Sequence, residues 1–355
     1  MAKNNYTNNA DTIGKWLETT GPFSDVIMST RIRLARDLYK VPFPGWGKKE
    51  ELQMVRDKVF SAAAPSEYLK DAFFIKMSEL PENDRDLLVE RHLISKDLLN
   101  NIDAGGIILT KNEEISIMVN EEDHIRIQVF APGFNLDDLY GKIDKIDDDL
   151  EAKLDYGYSS IWGYDTACIT NAGTGLRVSC LFHLPALIIS KKIPELIKAV
   201  SQFGLTVRGL YGEGTDALGA FFQISNQISL GISEKEIIEK VHNISSQIVN
   251  YERLERKNIL QKDGSAFEDA IMRSLGILTF ARKISTQEAY DRLSSVKLGI
   301  DIGLITDIAI EKIRKLLVIV QPAHLQKING AEFKSVEERD VFRAQIIRKV
   351  LGEVK

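Results

Sequence analysis

Alternating apolar and polar positions fill the first two-thirds of the chain and predict β-strands. The clearest segments, rich in Ile and Val and flanked by turn residues, are 25–33, 105–109, 115–119 and 124–130. In the fourth, apolar residues such as Ile127 alternate with polar ones such as Arg126 and Gln128, so one face enters a core and the other presents polar groups. A further alternation over 176–183 places Arg177 on the polar side. Both strands therefore present an arginine from a polar surface.

Helical periodicity dominates the last hundred residues. Three N-terminal capping boxes introduce periodic segments: Ser233 with Glu236, Ser285 with Glu288, and Ser335 with Glu338. The first box opens a helix that closes the strand-rich part of the chain. We therefore expect an α+β protein with a mixed domain over residues 1–255 and a helical domain over residues 256–355.

Composition and charge exclude several classes of protein. The 355 residues are 44% apolar and 27% charged, with 46 basic and 51 acidic side chains for a formal charge of −5. This balance argues against a general nucleic-acid or membrane-surface binder. We expect neither export nor a membrane span, because the first residues are polar and the longest apolar stretch contains His183 and Pro185. Two cysteines, Cys168 and Cys180, fit a reducing cytoplasm.

Candidate chemistry begins with arginines, because the sequence has no P-loop, H-R-D or D-F-G motif. Five arginines stand beside predicted strands and small-residue loops: Arg31, Arg33, Arg126, Arg177 and Arg208. A single arginine most often lies on a solvated surface. Five planar cations together would suit a triphosphate, since phosphoryl transfer requires positioning and neutralisation of negative charge.

Carboxylates and one cysteine accompany these arginines. Glu121, Glu122 and Asp123 are consecutive, and Glu213 lies between two glycines. A guanidinium acceptor needs carboxylates to hold it and one to remove a proton, roles that fit Glu122 and Glu213. The acidic run could instead be a turn before a strand. Near the arginines, Cys168 could act as a thiolate that orients a guanidinium. The alternative, a buried structural cysteine, is the role we assign to Cys180.

These segments resemble the phosphagen kinases, the family of creatine and arginine kinases, and more closely the bacterial protein-arginine kinases. The motifs are S-T-R-I-R at 29–33, N-E-E-D-H-I-R at 120–126, C-x-T-N-x-G-T-G-x-R at 168–177 and V-R-G-x-x-G-E at 207–213. The resemblance implies a curved antiparallel sheet flanked by helices, similar to glutamine synthetase. It also implies an ATP-dependent kinase that phosphorylates arginine side chains of proteins.

Site residues follow from the same resemblance. Nucleotide-binding positions would be Ser29, Thr30, Arg31, Ile32, Arg33, His92, Arg126, Arg177, Val178, Ser179, Cys180, Leu181, Arg208, Gly209, Leu210, Tyr211, Gly212 and Glu213. Glu122 would be the base, Glu213 the second guanidinium clamp and Cys168 the substrate-side thiol. Ile169 stands where the family usually has proline, which could loosen the loop carrying that thiol. Magnesium would accompany ATP, with ligands from phosphates and water and no protein cage.

Two further features bear on the substrate and its regulation. The arginine-pair motif begins at Ser29, so the N-terminal helical domain that encloses free substrates in phosphagen kinases is not expected. A site without that cover could admit an arginine still attached to a protein. Near the C-terminus the resemblance indicates a phosphoarginine-sensing site made of Arg339, Asp340, Arg343 and Ala344. An i,i+4 surface charge pattern is the alternative for this motif.

The resemblance also implies partners. These are protein substrates including the heat-shock repressor, a zinc-binding activator adaptor, a Clp-type ATPase and protease that degrades marked proteins, and a second copy of the chain. Two competing interpretations remain. One is a kinase of free arginine. The other is a regulatory protein that binds phosphoarginine and has a vestigial kinase site.

Overall fold

The α+β fold is confirmed by a computed structural model, which describes residues 13–209 and 217–352. The strands of the main sheet are β1 (Ile27–Arg36), β2 (Phe73–Lys76), β3 (Gly106–Leu109), β4 (Ile115–Val119), β5 (Ile125–Pro132), β8 (Leu176–His183), β9 (Leu205–Gly209) and β10 (Phe221–Asn226). They form one eight-stranded antiparallel sheet in the order β2-β3-β4-β5-β1-β8-β10-β9. A separate hairpin joins β6 (Tyr158–Ser159) and β7 (Gly163–Tyr164). The four predicted strands all exist, and β4 has its predicted bounds.

Helices flank the sheet and make up the C-terminal region. They are α1 (Lys15–Glu18), α2 (Lys49–Ala63), α3 (Glu82–Glu90), α4 (Asp137–Glu151), α5 (Pro185–Ile189), α6 (Ile193–Gln202), α7 (Glu234–Phe280), α8 (Thr286–Asp301), α9 (Ile310–Ile319), α10 (Pro322–Asn329) and α11 (Val336–Leu351). Ser233, Ser285 and Ser335 cap α7, α8 and α11 as predicted. Among the described residues, no helix is both long and apolar enough to span a bilayer.

The proposed division near residue 255 falls within α7. This helix continues through that position and leaves helical geometry at Asp263, where φ is −140° and ψ is 43°. The two-domain division therefore remains a proposal, and Asp263 is the local irregularity nearest to it.

Each face of the sheet packs against a different set of helices. One face, including Ile32, Ile127 and Val178, forms a core with α2, α4 and the first half of α7. On the other face, Met118 and Phe130 pack against the C-terminal helices. The rest of that second face carries the predicted arginines. The helical region thus covers part of the surface on which the candidate site lies.

Arg314 of α9 connects the helical region to the first residues described. Its side chain is buried, and its Nε donates to the Leu17 carbonyl at 2.6 Å while Nη2 donates to the Met28 carbonyl at 2.9 Å. The neighbouring Trp16 ring stacks on Phe130 with ring centroids 4.5 Å apart. Arg314 therefore holds Trp16 against the sheet face that carries the arginines.

We expect the substitution Arg314→Met to destabilise the protein by about 2 to 4 kcal/mol, because it leaves buried carbonyl groups without donors. Urea unfolding of the variant and the wild type measures this difference. Lys315→Met, one residue further along the same helix, is the control and should change the free energy of unfolding by less than about 0.5 kcal/mol. Equal losses in the two variants would show that the hydrogen bonds of Arg314 are not what stabilises this junction.

Candidate active site

Strand register brings the predicted arginines to one face of the sheet. In the central strands Arg33 of β1 lies directly opposite Arg177 of β8, and Ala35 lies opposite Arg126 of β5. Since residues two apart in a strand share a face, this face carries Arg31, Arg33, Arg126, Arg177 and, on β9, Arg208. The five arginines therefore share one face of the sheet. The sequence alone did not show which of them are neighbours.

The cluster is electrostatically costly without an anion. Burial and the nearby Arg31, Arg177 and Arg126 hold the pKa of Arg33 well below its usual range. Burial also lowers the pKa of Arg177, with Arg208 as the next contributor. The Nε atoms of Arg33 and Arg177 are buried, and neither has a hydrogen-bond partner within the described ranges 13–209 and 217–352. Like charges directly opposite on adjacent strands repel, so this surface should bind a polyanion readily.

Arg126 is the cation among the three consecutive carboxylates. Its Nη1 lies 2.5 Å from Glu121 Oε2, and its Nη2 lies 2.9 Å from Glu122 Oε2 and 3.0 Å from Asp123 Oδ2. Burial opposes the charge of Arg126, but Glu121 and Asp123 outweigh it and raise its pKa. Glu121 and Asp123 are buried, whereas Glu122 is exposed. Of the three carboxylates, Glu122 is thus the one accessible to a substrate.

Asp123 ties this turn to the loop that carries the cysteine. Its Oδ1 accepts a hydrogen bond from the Ala167 amide at 2.8 Å. Burial, followed by the charge of Asp37, raises the pKa of Asp123 to about 7. Asp37 Oδ1 also accepts from the His124 amide at 2.8 Å, and its Oδ2 is buried without a hydrogen-bond partner among the described residues. Sequence analysis gave no role to Asp37 or Asp123, because acidic residues are usually exposed and the sequence does not show that these two are buried together.

We expect Asp123→Asn to flatten the pH dependence of stability between pH 5 and 7. The folded-state pKa lies above 3.8, the ordinary value of an aspartate side chain, so in this range the folded protein binds more protons than the unfolded chain. Stability contributed by this group is therefore present at low pH and is lost as the pH rises through about 7. One such proton changes the free energy of unfolding by at most about 1.4 kcal/mol per pH unit. Urea unfolding at a series of pH values measures the slopes, and equal slopes in wild type and variant would contradict this assignment.

The Cys168 loop is anchored at both ends. Cys168 is partly exposed, its Sγ lies 3.0 Å from Thr170 Oγ1, and Ser229 Oγ donates to the carbonyl groups of Thr170 and Ala172. At the far end Gly175 has φ of +67°, and a Cβ there would lie 2.5 Å from the Ala35 carbonyl oxygen. The loop thus needs glycine where it joins β8.

Ile169 and Cys180 were also singled out in the sequence, one for its place in the Cys168 loop and the other as a structural cysteine. Ile169, which replaces the usual family proline, is 79% exposed, so its side chain does not pack the loop. Cys180 is fully buried 3.9 Å from Thr30 Oγ1, and burial raises its pKa to about 12. The predicted burial of Cys180 is confirmed.

A small pocket of about 30 Å³ surrounds His92 and Arg31. Arg31 Nη2 donates to Gln223 Oε1 at 3.0 Å and its guanidinium lies 5.9 Å from the Phe130 ring centroid. Burial, then the charge of Arg31, lowers the pKa of His92 to about 3, so its imidazole is neutral at physiological pH. Trp16 also lines this pocket, and neither Trp16 nor Gln223 was predicted from the sequence. Strand register brings Gln223 to this pocket, and the packing of α1 on Phe130 brings Trp16, and the sequence states neither arrangement.

The remaining predicted nucleotide contacts fall into three groups. Side chains of Ser29, Ser179 and Leu181 lie on the arginine face and line the same pocket. Thr30, Ile32, Val178 and Cys180 point into the core on the other face, which leaves only their backbone atoms for a ligand. Gly209 ends β9, whereas Leu210, Tyr211, Gly212 and Glu213 lie outside the described residues.

Glu122 stands between two cavities of different character. A cavity of about 100 Å³ is lined by Arg33, Arg126 and Arg177 together with Glu122. A much larger cleft of about 1050 Å³ is lined by Glu122 and by Ala167, the residue before Cys168. The candidate base therefore borders a cationic cavity on one side and a wide cleft on the other.

The C-terminal motif is largely buried. Arg343 is 0% exposed; its Nε donates to the Val320 carbonyl at 2.8 Å and its Nη1 bonds Asp340 and the Ile284 carbonyl. This burial excludes the surface-charge interpretation for Arg343. Its Nη2 and the Nε of Arg339 are buried and have no partner within the part of the chain that the structure describes. Such orphaned guanidinium donors fit an anionic ligand.

Comparison with known proteins finds two adjacent family matches. Residues 54–255 match the ATP:guanido phosphotransferase, C-terminal catalytic domain, and residues 264–355 match the Protein-arginine kinase McsB C-terminal domain. A protein-arginine kinase of Halothermothrix orenii is 45% identical over 340 residues, covering 96% of this chain and 97% of that protein. The protein-arginine kinase of Bacillus subtilis is 41% identical over 345 residues, covering 96% and 94%.

Solved structures show the same architecture. The duplicated taurocyamine kinase of Schistosoma mansoni, with bound transition state analog components, superposes with a TM-score of 0.59 at 25% identity, covering 67% of this chain and 35% of that one. A lombricine kinase superposes with a TM-score of 0.57 at 23% identity, covering 69% and 70%. At this identity the second likeness concerns the fold alone.

Proposed function

Because the chain belongs to the ATP:guanido phosphotransferase family, with protein-arginine kinases as relatives over almost its full length, we propose that it transfers the γ-phosphoryl group of ATP to arginine side chains of proteins. The position of Glu122, between the cavity lined by arginines and the wide cleft, carries this proposal. Phosphates would lie on the first side and the acceptor arginine would enter from the second.

The arginine face suits the phosphates of ATP. Arg33 and Arg177 have buried Nε donors without partners among the described residues, and burial lowers the pKa of both. A bound triphosphate would supply the missing acceptors and neutralise the mutual repulsion. Arg31, Arg208 and the neutral His92 would complete the nucleotide site. Magnesium would arrive with ATP, whose phosphate oxygens together with water are its usual ligands.

Glu122 would act as general base. It would take a proton from an arginine nitrogen as that nitrogen bonds to the γ-phosphorus and the bond from that phosphorus to ADP breaks. Arg126 lies 2.9 Å from Glu122 Oε2 and would fix the carboxylate in place. Cys168 would orient the guanidinium from the other loop. Glu213, proposed from the sequence motif as the second clamp, lies outside the described residues.

Incubation with Mg-ATP and an arginine-rich unfolded protein tests this function. Mass spectrometry under conditions that preserve acid-labile phosphate should map phosphate to arginine nitrogens with the wild-type protein. Phosphate on free arginine alone would favour a small-molecule kinase. No transfer to any arginine, with or without a zinc-binding adaptor, would favour the regulatory binding protein.

We also propose that Arg339, Asp340, Arg343 and Ala344 bind phosphoarginine, so that the product regulates the enzyme. The buried Arg339 Nε and Arg343 Nη2, which have no hydrogen-bond partner among the residues described, support this ligand. Free phosphoarginine should raise the melting temperature of the wild-type protein, and Arg339→Ala should remove the shift. Because Arg339 is only partly buried, this variant should fold normally. An unchanged shift in the variant would contradict the proposed site.

The cellular role is a further proposal that follows from the family. Phosphoarginine would mark proteins for a Clp-type ATPase and protease in the cytoplasm, inactivate the heat-shock repressor, and depend on a zinc-binding adaptor for full activity. The working form would be a homodimer. Degradation by a purified Clp-type protease of one substrate protein, with and without phosphoarginine, tests the first of these steps.

A further inference from the structure

The 1050 Å³ cleft beside Glu122 is far larger than one arginine side chain requires. The turn over residues 43–47 forms one wall of its lining, and the segment over residues 97–103 forms another. We call this space the Trp46 cleft. Trp46 is 83% exposed and its ring lies 6.1 Å from that of Phe43 at 61°. An aromatic side chain held this far out of the core is a typical anchor for a partner.

Both walls are attached to residues that flank Glu122. The first is held where the Pro42 carbonyl lies 2.9 Å from His124 Nε2. The second is held by a hydrogen bond from Ser95 Oγ to Glu121, and by Asn101 Nδ2, which donates to the Asn120 carbonyl at 3.0 Å. The walls are therefore positioned relative to the candidate base itself.

The charge of the Trp46 cleft is acidic. Its lining contains four carboxylates and one cation: Asp97, Asp103, Glu121, Glu122 and Lys49. Lys49 is bound to Asp103 at 2.7 Å, and Glu121 is bound to Arg126. Asp97 is exposed. Asp97 thus places a negative charge in the same cleft as Trp46, and this charge would attract a basic peptide segment.

We propose that the Trp46 cleft binds the polypeptide on either side of the target arginine, with Trp46 packing on a neighbouring side chain and Asp97 selecting basic neighbours. The inference rests on the proposed function, because the cleft is lined by Glu122, the candidate base. It assigns to these residues the recognition of an arginine that is part of a protein, a task separate from phosphoryl transfer.

Peptides with one arginine flanked by lysines or by glutamates test the inference. Trp46→Ala should raise KM for the lysine-flanked peptide about tenfold, which is about 1.4 kcal/mol, while KM for ATP stays constant. Phe203→Ala is the matched control, because Phe203 is an exposed aromatic residue that directly follows α6 and does not line the Trp46 cleft. Asp97→Lys should weaken turnover of the lysine-flanked peptide and improve that of the glutamate-flanked one.

The outcomes separate this inference from the proposed function. If the wild type phosphorylates arginine but Trp46→Ala behaves as Phe203→Ala, or the charge reversal brings no compensation, the cleft does not read the substrate. Binding of labelled peptides by fluorescence anisotropy provides a readout without turnover. If the wild type transfers no phosphate yet binds the lysine-flanked peptide through Trp46 and Asp97, the proposed function fails while the cleft assignment holds.

Discussion

Replacing Glu122 by Gln is expected to lower kcat for protein-bound arginine by about a thousandfold, the range typical of losing a general base. Glutamine keeps an oxygen that can accept from Arg126, now 2.9 Å from Glu122 Oε2, but it cannot take a proton. The side chain is exposed, so the melting temperature and the affinity for ATP should be unchanged. Steady-state kinetic assays measure kcat, and calorimetry measures the melting temperature and the affinity for ATP.

Glu114→Gln is the matched control for this substitution. Glu114 is also partly exposed and bound to a cation, Lys142, at 3.2 Å, but it lies away from the arginine cavity. The kcat of the Glu114→Gln variant should stay within twofold of the wild-type value. If Glu122→Gln keeps more than a tenth of wild-type turnover, another group removes the proton and the assignment of the base is wrong.

Replacing Arg33 by Met is expected to lower the rate of phosphoryl transfer by about a thousandfold or more. The same substitution should raise the melting temperature of the protein without nucleotide. Burial, followed by the charges of Arg31, Arg177 and Arg126, holds the pKa of Arg33 well below its usual range. An apolar side chain of similar length removes this repulsion. Once phosphates are bound, the positive charge of Arg33 should be indispensable for transfer. The protein without nucleotide therefore loses stability to keep an arginine that the reaction needs.

Arg208→Met provides the comparison. Arg208 is exposed at the end of β9, so its removal should weaken ATP binding with a smaller gain in stability. Thermal unfolding with and without Mg-ATP measures both effects: wild type should gain stability from the nucleotide, and Arg33→Met should gain little. A lower melting temperature for Arg33→Met would show that the arginine is held by favourable contacts, against this account.

Much of the fold could be predicted from alternation and capping, and the failures have a common cause. The strand predicted to end at Arg33 continues to Arg36, which is buried and bound to Asp147 at 2.6 Å. A charged residue at a strand end reads as solvent-exposed, since its buried partner is more than a hundred residues away. Arg343 is a second example, because its carbonyl partners, Val320 and Ile284, lie in the connections that follow α9 and precede α8.

The site was predictable as a set of residues but not as an arrangement. The motifs identified the arginines, yet the register that sets Arg33 against Arg177 joins strands separated by most of the catalytic region. The sequence motif assigned the base to Glu122, but it did not show how the three consecutive carboxylates differ in exposure. In the structure Glu121 and Asp123 are buried on Arg126, and Glu122 is left facing the cleft. The Trp46 cleft gave no signal, because a Pro- and Gly-rich turn is ordinarily a connection.

The proposed phosphoryl acceptor is an arginine within a protein. An unfolded protein with one arginine, and the same protein with that arginine replaced by lysine, test it most directly when each is incubated with the enzyme and radiolabelled Mg-ATP. Label is expected on the arginine-containing protein alone, and it should be absent when Glu122→Gln replaces the wild-type enzyme. Equal labelling of the lysine version, or label only on added free arginine, would contradict it.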